Sequence, residues 1–254
     1  IIMANSMKYF IGNWKMFGIP KSISIMNKIN TYVKKHKYNK KYRVIIAPPF
    51  TLLESFSNKF KNKKISICAQ NCYQKDKYSS DTGSISPFMI KSLGAKYIIL
   101  GHSDNRAEGD TNKVIKEKIK IALKNNLNVI FCIGENKEQK KNKKTLIFLK
   151  KQIQESLEKN FNKNKILVAY EPIWSIGTGK VPNSENLKRT AIYIKKIVKN
   201  LFKTRKNIPI LYGGSINGKL IKNFLSLSEI DGFLIGGASK SSKNFIDIIK
   251  NYYR

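Results

Sequence analysis

Cysteine is scarce in this chain: Cys68, Cys72 and Cys132 are the three present in 254 residues. An odd count far from either of the two histidines supports neither a disulfide framework nor a zinc site, so no metal is expected and a reducing cytoplasmic compartment fits best. Acidic residues are also few, 16 against 49 Lys plus Arg, which leaves a formal charge of +33. Such a surplus ordinarily points to nucleic acid or an anionic membrane. Here the lysines are spread along the whole chain beside Asn and Ile, as in KNKK at 61–64 and KKNKK at 140–144, with no aromatic-interleaved cluster attached. A/T-rich codon usage accounts for that mixture without a partner, and neither specific nucleic acid nor membrane is expected. Long apolar runs are absent as well: nothing approaches the roughly 20 residues that span a bilayer. The opening IIMANSMKYFIGNWK lacks the charged, apolar, small order of a signal peptide, so the chain reads as soluble and unexported. Residues 1–7, with Met3 and Met7 ahead of the first strand-like segment, read as a loose N-terminal extension. No Pro/Ser-rich linker or composition break divides residues 1–254, which are read as a single domain.

What is present is a regular alternation. Short β-branched or aromatic runs recur at Tyr9 to Ile11, Val44 to Ala47, Ile65 to Ala69, Tyr97 to Leu100, Asn128 to Ile133, Ile166 to Tyr170, Ile210 to Tyr212 and Gly232 to Ile235. Between them lie Lys-rich segments with helical apolar spacing: Ser22, Ile25, Ile29, Val33; then Val114, Ile115, Ile119, Leu123; then Ile192, Ile197, Leu201. Nearly continuous apolar strands alternating with amphipathic helices imply a parallel sheet covered by helices. About eight such units in this length predict an α/β fold, a single closed (β/α)8 barrel, ahead of an open doubly wound sheet.

In such a barrel chemistry gathers at the C-terminal ends of the strands. Gly213-Gly214-Ser215 and Gly236-Gly237 follow the last two strands and open toward helices, where backbone N–H groups can approach an anion; phosphate is the natural ligand. Ile176-Gly177-Thr178-Gly179 can add a further N–H from a flexible loop. Glu171 ends a strand and precedes Pro172, which turns its carboxylate into the barrel mouth, where beside a phosphate site and Lys15 it is suited to act as a base. His102 precedes the helix-opening Ser103-Asp104-Asn105, a position that favours a neutral ring able to donate a hydrogen bond to a substrate oxygen. His36, within Lys34-Lys35-His36-Lys37, reads as a surface residue.

GNWKM, GHS, CIGE, YEPIWSIGTGK, YGGS and DGFLIGGAS stand in this order at the strand ends, and together they make the chain resemble the triosephosphate isomerases over nearly its full length. The resemblance implies interconversion of dihydroxyacetone phosphate and D-glyceraldehyde 3-phosphate through an enediolate, with no cofactor. It implies the family's established division of labour: Glu171 moves the carbon-bound proton, His102 and Asn13 polarise the oxygens, and Lys15 stabilises negative charge. Gly177, Ser215, Gly236 and Gly237 would bind phosphate. Pro172, Ile173, Trp174, Ser175, Ile176, Gly177, Thr178, Gly179, Lys180, Val181 and Pro182 would form a lid. A homodimer is also implied, with the loop at 80–86, carrying Thr82, Gly83 and Ser84, inserted near Asn13 and Lys15 of the second copy.

The sequence departs from that pattern at four places. Asp104 stands where the family has glutamate close to the catalytic lysine, and a carboxylate one methylene shorter is expected to slacken Lys15 and lower turnover. Ser84 and Asn105 replace a Glu and an Arg that look able to pair across the dimer, so the dimer is expected to be weaker or nearly unchanged. Pro182 has no N–H, whereas relatives offer Tyr212 a backbone N–H there when the lid is closed; a looser lid and more phosphate elimination are expected. Two other readings compete: a different phosphate-binding barrel isomerase, and a degraded barrel kept as a basic scaffold or nucleic-acid binder. Retention of Asn13, Lys15, His102 and Glu171 weighs against the second.

Overall fold

A computed structural model describes residues 7–254; residues 1–6, most of the segment read as a loose extension, lie outside the described residues. Eight parallel strands close into a barrel in sequence order: β1 (Lys8–Asn13), β2 (Tyr42–Ala47), β3 (Ile65–Ala69), β4 (Tyr97–Leu100), β5 (Asn128–Ile133), β6 (Ile166–Tyr170), β7 (Ile210–Tyr212) and β8 (Gly232–Ile235). From β3 onward these are the runs read from the sequence; β1 and β2 extend beyond them. The ring is sealed where Tyr9 to Gly12 of β1 register with Gly232 to Ile235 of β8.

Alternation along each strand sorts the side chains into two layers. Ile11, Ile45, Cys68, Ile99, Ile130, Leu167, Leu211 and Leu234 point inward and fill the barrel. Their neighbours Phe10, Val44, Ile67, Val129, Val168 and Phe233 point outward against the helices. Apolar residues serve on both faces, which is why the strands read as continuous hydrophobic runs.

The helical stripes hold in large part: Ile29, Val33 and Ile197 are buried as read, and the member on the wrong face is Ile192. In the helix Ile23–Lys35 the buried residues are Met26, Ile29 and Val33, with Ile25 on the shoulder. In Ser184–Leu201 the buried row includes Leu187, Ala191, Ile194 and Val198, and Ile192 is 49% exposed. Spacings of four, three and four residues keep that row facing the barrel, and position 192, one residue beyond Ala191, is rotated about 100° off it. The helix Asn112–Lys124 buries Ile115 and Ile119 as expected, flanked by half-buried Val114 and Leu123.

Candidate functional site

Strand register delivers the site. The inward row of β1 runs through Ile11 to Asn13, and that of β6 through Leu167 and Ala169 to Glu171, so a rule that fills the barrel with apolar residues ends at its C-terminal rim in two polar ones. Both are buried. The inward rows of β7 and β8 continue instead into Gly213 and Gly236, and the absent side chains make room. A Cβ on Gly213 would stand 2.7 Å from Glu171 Cγ, so the Glu171 side chain occupies the volume that any other residue at 213 would claim.

A cavity of about 360 Å³ opens at this rim. Asn13, Lys15, His102, Glu171, Gly177, Ser215, Gly236 and Gly237 all line it, so the predicted proton-transfer and anion-binding residues are brought together. Asp104 stands just outside that lining, paired with Lys15 at 3.0 Å. The shorter carboxylate therefore still meets the ammonium, and the lower turnover expected of it is a matter for kinetics.

Burial pushes the Glu171 carboxyl up from its ordinary value; His102, a hydrogen bond from the Cys132 thiol and the charge of Lys15 pull it back only in part. His102 Nδ1 accepts the backbone N–H of Asp104 at 3.1 Å. That bond leaves the ring proton on Nε2, which faces Glu171 Oε1 at 3.3 Å. A neutral imidazole donor and a buried carboxylate thus share one wall of the cavity.

Lys15 sits in the left-handed region with φ +55, unusual for a residue with a Cβ. Its N–H donates to Asn13 Oδ1 at 3.1 Å and its carbonyl accepts from Gln70 Nε2 at 2.9 Å, while the same amide donates to Ala47 O at 2.8 Å. Gln70 was not singled out from the sequence. Its one signal is position, the first polar residue after β3, and its role depends on a contact 55 residues away.

The segment 172–182 lies down over the cavity. Trp174 Nε1 donates to Glu135 Oε1 at 2.8 Å, and Tyr170 donates to the same oxygen at 3.1 Å. Gly179 N–H donates to Ser215 Oγ at 3.0 Å, and that hydroxyl donates to Ser175 O at 2.6 Å. Ser215, predicted as an anion ligand, therefore also fastens the loop. Glu135, quoted within CIGE but given no role, is its second anchor; burial raises its carboxyl and the bond from Trp174 opposes that. Pro182 has no N–H to offer Tyr212, as read from the sequence, and the Tyr212 hydroxyl meets Ser175 Oγ at 2.9 Å instead.

The loop carrying Thr82, Gly83 and Ser84 is braced within its own chain. Asp81 accepts Lys75 Nζ at 2.7 Å, Ser79 Oγ at 2.6 Å and Tyr73 OH at 3.1 Å, and these bonds, Lys75 first, pull its carboxyl down to about 2. Thr82 is left exposed at the tip.

The family model described as triosephosphate isomerase matches residues 8–252. A triosephosphate isomerase of Dictyoglomus thermophilum is 39% identical over 249 residues, covering 96% of this chain and 99% of the relative. One from Mycoplasmopsis pulmonis is 39% identical over 244 residues, covering 94% and 95%. The crystal structure of triosephosphate isomerase from Bartonella henselae superposes with a TM-score of 0.88 at 30% identity, covering 97% of this chain and 99% of that one.

Proposed function

Because this chain belongs to the triosephosphate isomerase family, we propose how its own residues divide that family's reaction. The protein is an isomerase that interconverts dihydroxyacetone phosphate and D-glyceraldehyde 3-phosphate. Glu171 takes the proton from one carbon and returns it to the neighbouring carbon. Its raised proton affinity suits the task, since a buried carboxylate is a stronger base than a solvated one. His102 Nε2–H donates to the substrate oxygens as charge develops on them, and Lys15 supplies the fixed positive charge beside them. Gly236, Gly237, Ser215 and Gly177 cradle the phosphate through backbone N–H and hydroxyl groups. No step calls for a cofactor.

The observation that carries this reading is the 3.3 Å approach of Glu171 Oε1 to His102 Nε2 in a cavity that Lys15, Ser215, Gly177, Gly236 and Gly237 also line. Steady-state isomerisation of glyceraldehyde 3-phosphate by the wild type and Glu171→Asp tests it. The wild type should turn over and the shortened base should lose about 100-fold or more, since displacement of a base by about 1 Å costs that much. An equally active Glu171→Asp would remove Glu171 from the role.

A homodimer is part of the proposal. Met16 is 98% exposed directly after Lys15, Ile19 is 52% exposed, and Tyr78 and Met89 add apolar area near the pre-formed Thr82 loop. Apolar side chains this exposed beside a catalytic lysine support burial by a second copy. A single domain and a cytoplasmic location complete the reading, supported by the unpaired, buried cysteines. Among the described residues no helix is long and apolar enough to cross a membrane.

A further inference from the structure

Tyr212 ends β7 with 0% exposure, so its hydroxyl must find a partner within the protein. The C-terminal arm of the lid cannot offer an N–H at Pro182. The hydroxyl instead meets Ser175 Oγ at 2.9 Å, on the opposite arm of the lid. Ser175 is itself 0% exposed, and its Oγ donates to Lys180 O at 2.6 Å. A serine hydroxyl has one proton. With that proton committed to Lys180, Tyr212 must be the donor to Ser175, and the bonds run one way: Tyr212 O–H to Ser175 Oγ, then Ser175 O–H to the Lys180 carbonyl. Two bonds thus tie the end of β7 to both arms of the lid.

The surrounding backbone is shaped for this contact. A Cβ on Gly214 would lie 2.1 Å from Tyr212 Oη and 2.6 Å from Ser175 Oγ, so a side chain of any size there would evict the pair. Ser175 is tied a second time through its carbonyl, which accepts Ser215 Oγ while that oxygen accepts Gly179 N–H. Removing the Ser175 hydroxyl alone would leave this second tie in place, which separates loosening the lid from unfolding it.

We propose that Ser175 is the positioning residue that holds the lid of this enzyme closed, acting through the Tyr212 and Lys180 bonds where Pro182 provides no N–H. The proposal rests on the isomerase reading, because holding the lid matters to the enediolate. If the lid lifts early, the enediolate's electron pair expels phosphate: the carbon–oxygen bond to phosphate breaks, its electrons leave with inorganic phosphate, and the remaining enol tautomerises to methylglyoxal. Ser175 thus sets the partition between returning a proton to carbon and losing phosphate.

The test is a double-mutant cycle on the full-length protein: wild type, Ser175→Ala, Pro182→Ala and the double variant, with Tyr212→Phe alongside. For each, kcat, KM and inorganic phosphate released per isomerisation turnover are measured with D-glyceraldehyde 3-phosphate. Ser175→Ala should lower kcat and raise the phosphate ratio, each by about 10-fold, the size of one buried hydrogen bond lost. Tyr212→Phe should match it. Pro182→Ala alone should change the ratio less than about twofold, but in the Ser175→Ala background its restored N–H can bond Tyr212 and should recover at least about threefold. A wild-type phosphate ratio in Ser175→Ala, or a double variant with no recovery, would overturn the proposal. A wild type that does not isomerise at all would overturn it together with the reading it rests on, a result visible before any variant is compared.

Discussion

Asp104 acts on two neighbours by two routes: its carboxylate lies 3.0 Å from Lys15 Nζ, and its backbone N–H donates to His102 Nδ1 at 3.1 Å. Substitution of its side chain should therefore touch Lys15 and spare the histidine tautomer. The pair is solvent-accessible, with the Asp104 side chain 55% exposed, and exposed ion pairs contribute little. Asp104→Ala should lower kcat/KM by about fivefold, and Asp104→Glu should stay within about twofold of the wild type. Steady-state kinetics at two ionic strengths checks both, because screening should shrink the Ala effect.

Burial of Glu171 has opposite consequences for activity and stability. Its carboxyl is raised above the ordinary 4.5, so the acid limb of kcat/KM should fall above that pH, with activity rising as Glu171 ionises. Between the ordinary value and the raised one, the native state binds more protons than the unfolded state, so stability declines as pH rises through that window. Glu171→Gln carries no charge to bury. It should be more stable than the wild type at neutral pH by about 1.4 kcal/mol for each unit of upward shift, while kcat falls by about 10³. Urea unfolding of both proteins at pH 4 and pH 8 would show the gap opening only at the higher pH.

Gly213 carries a sharper steric prediction. A methyl group there would stand 2.7 Å from Glu171 Cγ, well inside contact distance, and the carboxylate must move. Gly213→Ala should cut kcat by about 100-fold, with KM within about threefold because the anion-binding backbone at Gly236 and Gly237 is untouched. A matching rise in KM would show instead that the whole rim had shifted.

The sequence carried the strands and the catalytic rim because both follow from period-two alternation: once Ile11 and Leu167 point inward, Asn13 and Glu171 must as well. The helix phases were less legible, since isoleucine also stands on solvent faces here, and Ile192 gave a false member of the buried row. Gln70 stayed hidden for another reason, and Ser175 was legible as part of the lid but not as a partner of Tyr212. Both act through contacts distant in sequence, Gln70 to Lys15 and Ser175 to Tyr212, which no local pattern encodes. Asp104 and Pro182 looked like losses when read alone, and in three dimensions Asp104 pairs with Lys15 while Tyr212, offered no N–H at 182, meets Ser175.

Association of two copies should respond to salt in an unusual direction. Each chain carries a formal charge of +33, so two protomers repel across the whole surface, and the repulsion weakens as the Debye length shortens from about 10 Å at 0.1 M salt to about 3 Å at 1 M. The side chains on which the proposed pairing rests are apolar, with Met16 98% exposed, and Ser84 and Asn105 bring no charges that salt could screen away. Added sodium chloride should therefore tighten the dimer, whereas an interface held by ion pairs would loosen. Sedimentation velocity across a dilution series at 0.05 M and 0.5 M salt should show a lower dissociation constant at the higher salt, and specific activity should fall on dilution first in the low-salt buffer. Met16→Lys should raise the dissociation constant at least 10-fold at both salts, because it removes a buried apolar side chain and adds a charge to the same surface. A dimer that weakens with salt would place the binding energy in charges elsewhere on the interface and leave Met16 a minor contributor.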